Sequence, residues 1–587
     1  MLKFARSIVV FVILPLATLV SLSGAKKATP PVADSAKLTA WMKKNAHPFA
    51  TCIPGDTLQD LASLRQIVGD ARIVALGEGT HGTREFFQLK HRIVQYLATE
   101  MGFNVFAIEA NLPEAWRIND YVLGGPGNPK ELICGMHFWT WNTQEVLDMI
   151  EWMRAFNASG RGRIEFTGFD MQNPDTAAAI VNRYLAAHDP GWADTVNALL
   201  RFTPKPMSFV TATGTLPVAD FAGHHVRYSG FIRTKDVSLY AGLWMRADTP
   251  DSVGAFDNMA DQEIKGTKDW NRYTFDLDIP KNTNNINFGV LMASEGDAWF
   301  DSLTVLVDGK PWRNADFDLD LDDAEGPKGL GQYAASGYSI AMDDAVAKTG
   351  KRSLHLSGSP VAHRSLRLSG TPPATMNPEP MAHRLIDHLE ASRGNMGTPT
   401  EADWIIRNAQ VLLQRTLLVS GNNTGAVRDS SMAANFEWIA DLARPGSKIV
   451  IWAHNGHINK RRLSMGGYLA EHYGPQFVAL GFTANVGTYT ALQSGRELSS
   501  ENQLKPGPAG SFEAIAAATH VPRFLIDLRT AQKTPDVDTA FKSQMTMRSI
   551  GAVAMNDQFF PAPISDYFDA IAWVAETKAS QCFGFCQ

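Results

Sequence analysis

Several things that would narrow a function at once are missing from this chain. It has only four cysteines, Cys52, Cys134, Cys582 and Cys586, in 587 residues. In an oxidising compartment they could pair, and a Cys582–Cys586 bridge would pin the end of the chain; the pairing itself stays open at this level. A cysteine metal or redox site is disfavoured, because Cys582-Phe-Gly-Phe-Cys586 has no second half. No block of basic residues occurs, and the net charge is −6, which argues against nucleic acid or an anionic membrane as the main partner. Disorder is excluded too, since 45% of residues are apolar and 19% charged, as in ordinary globular proteins. There is no P-loop, no H-E-x-x-H and no tandem repeat. Beyond the N-terminus no apolar stretch is long enough to cross a bilayer.

What is present begins with the N-terminus. Lys3 and Arg6 precede the apolar run Ile8 to Leu22, and Ser23-Gly24-Ala25 follows with small residues. That order predicts a secretory signal over 1–25, cleaved after Ala25, and an exported protein, periplasmic or secreted. The rival is an uncleaved anchor, for which the run is short. No cysteine follows the small residues, which argues against a lipoprotein. The length exceeds what one hydrophobic core serves, so two or more domains are expected.

From 71 to 186, short aliphatic runs alternate with helical periodicity. Ile73–Leu76 reads as a strand, followed by a helix with Phe86, Leu89, Ile93 and Leu97 on one face. Val105–Ile108 and 164–170 read as further strands, each ending in an acid, with a helix capped by Thr143 between them. The rhythm resumes near 402 with helices through Trp404–Leu413 and Ser431–Leu442, then strands at Lys448–Ala453, Phe477–Phe482 and Phe524–Leu528. Strands separated by helices imply a parallel sheet. Between the halves, short alternating segments such as 225–233, 239–245, 273–279, 286–291 and 298–307 predict an antiparallel β-sandwich. The expected layout is therefore an α/β domain in two parts, 26–203 and 373–587, with a sandwich inserted at 204–372. Long insertions cost little loop entropy, so a whole module can occupy one connection.

In an open parallel sheet, ligands bind beyond the carboxyl ends of the strands. Here those ends carry Glu78 and His81, Glu109, Asp170, then His454 and His457. One Glu or His past a strand is usually a helix cap or a solvated loop residue. Ionisable groups at four strand ends suggest a common crevice, and Gly77, Gly79 and Gly82 would permit a tight turn with close substrate approach. Two chemistries fit. His81 could be a general base activating water, with Glu78 and Glu109 orienting it. Alternatively, the Glu and His groups could bind a divalent metal that activates the water. Gly337-Tyr-Ser-Ile-Ala341 only approximates a nucleophile elbow and lies in the β-rich segment. Gly77-x-Gly79-x-x-Gly82 spells a dinucleotide motif, but Glu78 and His81 fill its interior.

The segments G-E-G-T-H-G-T-R-E-F (77–86), F-A-I-E-A-N (106–111), F-T-G-F-D-M-Q (166–172), R-D-S-S-M-A-A-N (428–435) and W-A-H-N-G-H-I (452–458) resemble, in order and approximate spacing, the erythromycin esterase family. Y-F-D-A-I-A (567–572) is similar to its closing strand region. The resemblance covers most of 40–200 and 400–580, and implies an α/β hydrolase that opens a macrolactone ester with a His-activated water and no metal or other cofactor. Carried over residue by residue, it makes His81 the base, Glu78 and Glu109 its carboxylate partners, and His454 and His457 the remaining polar wall. Arg428 would contact the developing oxyanion or order the acids, and Arg428 and Asp170 are the residues expected to bind substrate. The departure is the inserted sandwich, whose Trp244, Trp270, Trp299 and Trp312 suit either a core or a carbohydrate platform. The expected partner is a small-molecule ester, macrolide or glycosylated, with carbohydrate at the insert. Two rivals stand: a metal-dependent hydrolase or peptidase using the same crevice, and a non-catalytic carbohydrate-binding surface protein.

Overall fold

The computed structural model describes residues 35–587 except 56, 202–208, 250–252, 294, 314–329, 335–337, 359–377, 421–423, 494–496, 544 and 585–587. The export signal expected at 1–25, Gly337 of the elbow-like motif and Cys586 lie outside them. Residues 29–203 and 371–587 form one compact unit, and residues 204–370 belong to another.

The larger unit is built on a nine-stranded sheet. Its strands are β1 (His47–Pro48), β2 (Ile73–Leu76), β3 (Val105–Asn111), β4 (Glu165–Asp170), β5 (Ile449–Trp452), β6 (Phe477–Leu492), β7 (Leu498–Leu504), β8 (Arg523–Asp527) and β9 (Ala570–Thr577). Their spatial order is β1-β8-β9-β6-β2-β5-β3-β4, with β7 paired to β6. Strands β2, β5, β3 and β4 run parallel, as do β6 with β2 and β9 with β6. The two parts of the chain interleave, since β5 from the second part sits between β2 and β3 from the first.

Both faces of the central strands are covered. Val74, Leu76, Phe106, Ile108, Val450 and Trp452 join one core, while Ile73, Ala75, Val105, Ala107, Ile449 and Ile451 join the other. This two-sided burial is why these strands read as unbroken apolar runs instead of alternating ones. The expected parallel sheet is present, and antiparallel strands join it at its edge: β8 runs antiparallel to β9, and β7 to β6. Strand β6 continues ten residues past the expected Phe482, to Leu492. The helix expected over Ser431–Leu442 instead runs from Thr424 to Glu437 and widens into a π-helical turn over Trp438–Ala443.

The other unit holds two antiparallel sheets, one of five strands and one of six. The long strands His225–Val237 and Gly296–Val307 pair with each other. Val226, Tyr228, Ile232, Ala298, Phe300 and Val305 turn into a core shared with Leu243, Phe288 and Val290. Trp244 and Trp299 are buried, and their indole N–H groups donate to Thr211 and Asp343 at 3.0 and 2.8 Å. His355 stacks on Trp299 with ring centroids 4.5 Å apart, and Trp270 and Trp312 are half-buried. Because the unit carries its own core, replacing residues 204–372 by a short linker should leave the larger unit foldable. Circular dichroism and thermal melting of the deleted protein check this, and failure to melt cooperatively would refute it.

Candidate active site

Leu76 ends β2, and the chain crosses the carboxyl edge of the sheet as Gly77-Glu-Gly-Thr-His-Gly82. None of these glycines has positive φ, so the turn does not need their left-handed freedom. What they supply is clearance: a Cβ on Gly82 would lie 1.9 Å from the Thr490 carbonyl oxygen. Thr83 then leads into helix α1 (Arg84–Met101), whose Phe86, Leu89, Ile93 and Leu97 are buried as their spacing predicts.

Glu78 is fully buried, and each carboxylate oxygen has charged or polar company. Oε1 meets His81 Nδ1 at 2.7 Å. Oε2 accepts from Lys90 Nζ at 2.6 Å and from the Trp452 indole at 2.9 Å. With Nδ1 held, His81 has Nε2 left without a hydrogen bond among the described residues. Trp141 stands edge-on to the imidazole at 5.8 Å, fixed by its own N–H to the Glu109 carbonyl at 2.8 Å. The His454 ring lies 4.9 Å from that of His81.

A second cluster adjoins this one. Glu109 on β3 accepts from Arg428 at 2.7 Å and from the His454 backbone N–H at 2.9 Å. Asp170 at the end of β4 accepts from the same guanidinium at 2.7 Å. Arg428 comes from helix α2 (Thr424–Glu437). Burial acts against its charge, but Asp170 and Glu109 raise its pKa above the usual guanidinium value. Burial alone would raise the carboxyl of Glu109; His457 and Arg428 reverse that and hold it well below the usual range.

The two late histidines have different partners. His457 donates from Nδ1 to Asp429 at 2.9 Å, and its Nε2 lies 3.3 Å from Glu109. Burial works against its charge, yet Asp429 and Glu109 outweigh that and the nearby Arg428, pushing its pKa up to about 10. Arg428 Nη1 also lies 3.1 Å from the same Nε2, a contact in which only an unprotonated ring nitrogen can accept. His454 caps the short helix α3 (Asn455–Ile458): its Nδ1 accepts the Gly456 N–H at 3.0 Å. The ring proton is then on Nε2, which donates to the Ile550 carbonyl at 3.0 Å. Burial first, then His81 and His457, hold it well below the ordinary value, so it is neutral with both nitrogens committed.

Glu78, His81, Glu109, Asp170, Arg428, His454 and His457 are thus brought together at the carboxyl edge of the sheet. Three neighbours were not singled out from the sequence. Lys90 had a visible signal, a charge inside the apolar stripe Phe86, Leu89, Ile93. Asp429 stood next to Arg428 in the 428–435 motif, and Trp141 had no signal, because only the tertiary fold brings it to His81. Among the described residues no three His, Cys, Asp or Glu side chains are grouped as metal ligands would be; Lys90 and Arg428 fill the spaces between the carboxylates. The elbow-like Ser339 lies in the six-stranded sheet of the sandwich, not on a strand-to-helix turn. Of the cysteines whose pairing the sequence left open, Cys134 is disulfide-bonded, whereas Cys52 and Cys582 are free. Burial pushes the free Cys52 thiol up to about 12, leaving it inert.

The sheet is mixed, with acids and histidines gathered at its carboxyl edge. The family described as erythromycin esterase matches residues 98–212 and 356–577, more than half of the chain, and the chain belongs to that family. The interval without a match falls within the sandwich, and the 77–86 motif lies ahead of the matched part. Erythromycin esterase type II of Escherichia coli is 34% identical over 132 residues, 22% of this chain and 31% of that protein; the aligned part spans under a third of that relative. YbfO of Bacillus subtilis (strain 168) is 22% identical over 508 residues, 84% of this chain and 82% of that protein. The crystal structure of a Bacillus cereus protein superimposes with a TM-score of 0.58 at 19% identity, covering 94% of this chain and 99% of the other; it shares the fold.

Proposed function

We propose that this protein is an exported esterase that opens a carboxylic ester, a macrolactone foremost, with water deprotonated by His81. The observation that carries the reading is the 2.7 Å contact between His81 Nδ1 and Glu78. It orients the ring, supports the imidazolium that forms, and leaves Nε2 to take a proton from water. The hydroxide then attacks the carbonyl carbon, the carbon–alkoxy bond breaks, and the imidazolium returns its proton to the leaving alkoxide. Arg428, with His457 beside it, supplies positive charge where an oxyanion would develop. His454, with both nitrogens occupied, positions the wall and is not a second base. Family membership and the Escherichia coli relative support the ester as the bond broken. A carbohydrate ligand at the sandwich has less support, because Trp244 and Trp299 are covered.

The test is hydrolysis of a panel of macrolactones and acyl-sugars, before and after dialysis against a chelator. The expected outcome is cleavage of at least one ester class at a rate unchanged by the chelator. Loss of activity restored by Zn²⁺ or Mn²⁺ would assign the water activation to a metal instead.

A further inference from the structure

One charged group in the crevice has no part in the steps above. Lys90 is fully buried on the inward face of α1, and its Nζ lies 2.6 Å from Glu78 Oε2 and 4.5 Å from the Trp452 ring centroid. A buried ion pair is seldom worth more to stability than well-packed apolar side chains of the same size. A methionine would fill this aromatic-walled site as well, so the ammonium calls for another explanation.

We propose that Lys90 is a positioning residue that shares the Glu78 carboxylate with His81 and so tempers its pull on the imidazole, leaving His81 free to give back the proton it takes from water. The proposal rests on the reading of His81 as the base. His81 faces two acids, Glu78 directly and Glu109 through space. The second oxygen of Glu78 is held by Lys90, so the carboxylate that meets the imidazole is shared with a cation. The remaining neighbours of His81 add no opposing charge, since His454 is neutral and Trp141 and Trp452 are uncharged. Burial lowers Lys90 to about 8 against the pull of Glu78 and Glu109, so it is charged in the neutral range where the tempering is needed.

The test reads His81 directly. In the full-length protein with labelled histidine, the His81 resonance is identified by its loss in His81→Asn and titrated in wild type and Lys90→Met. Removing a like charge on the far side of the shared carboxylate should raise the His81 midpoint by about one pH unit or more. The acidic limb of ester hydrolysis should move up by the same amount, with the high-pH plateau retained. A purely structural role would lower the plateau and leave the limb in place. If Lys90→Met does not fold, Lys90→Gln, which keeps a donor to Glu78 without the charge, carries the same expectation. A folded variant whose His81 midpoint is unmoved overturns the proposal. A midpoint that moves while the limb does not would uphold the electrostatic coupling and reject His81 as the base, so the two failures are distinct.

Discussion

His81→Ala should lower ester hydrolysis by a factor on the order of 10²–10⁴, the usual cost of losing a general base, with little change in thermal stability. Stability should hold because the truncation strands no charge. Glu78 keeps Lys90 and Trp452 on Oε2, and His81, 8% exposed, borders the crevice where water can take its place. Initial rates on the best substrate and the melting temperature of each protein settle the matter. Activity within tenfold of wild type would reject His81 as the base; a melting point far below wild type would show that its main role is structural.

The second large effect falls on folding. Arg428 joins Glu109 of β3, Asp170 of β4 and His457 of the turn after β5, so Arg428→Leu leaves two buried carboxylates short of a cation. Removing one partner of a buried pair costs about 3–5 kcal/mol. The side chain keeps 20% of its exposure, which places the expectation near the lower end, about 3 kcal/mol. Part of the loss should be recovered by Arg428→Lys, which returns the charge but not the planar fork that spans two carboxylates. Equilibrium denaturation of the three proteins measures this, with hydrolysis falling alongside. A Leu variant within about 0.5 kcal/mol of wild type, the range of an ordinary surface change, would show that the carboxylates are satisfied without Arg428.

Much of this was legible before any fold was in view. Each of the six strands expected in the two α/β parts starts within a residue of its reading, because a short apolar run bounded by glycine or acid is a local property. The antiparallel setting of β8 was not legible, since the run Phe524–Leu528 reads the same whichever way its neighbour points. The depth of the Trp residues in the sandwich was hidden for a similar reason: an indole suits a core or a surface, and only Thr211 and Asp343 reveal the choice.

By itself the sequence determined the interrupted α/β plan and the set of acids and histidines delivered to one sheet edge, since strand ends and their flanking residues are encoded within a few positions. Only the tertiary structure decided what each histidine can do. His81, His454 and His457 all follow strands and look alike in the chain. One is bound to a carboxylate shared with Lys90, one is locked neutral between a helix N-terminus and the Ile550 carbonyl, and one is set among Asp429, Glu109 and Arg428. Protonation depends on charge and burial in three dimensions, and those partners come from segments far apart along the chain.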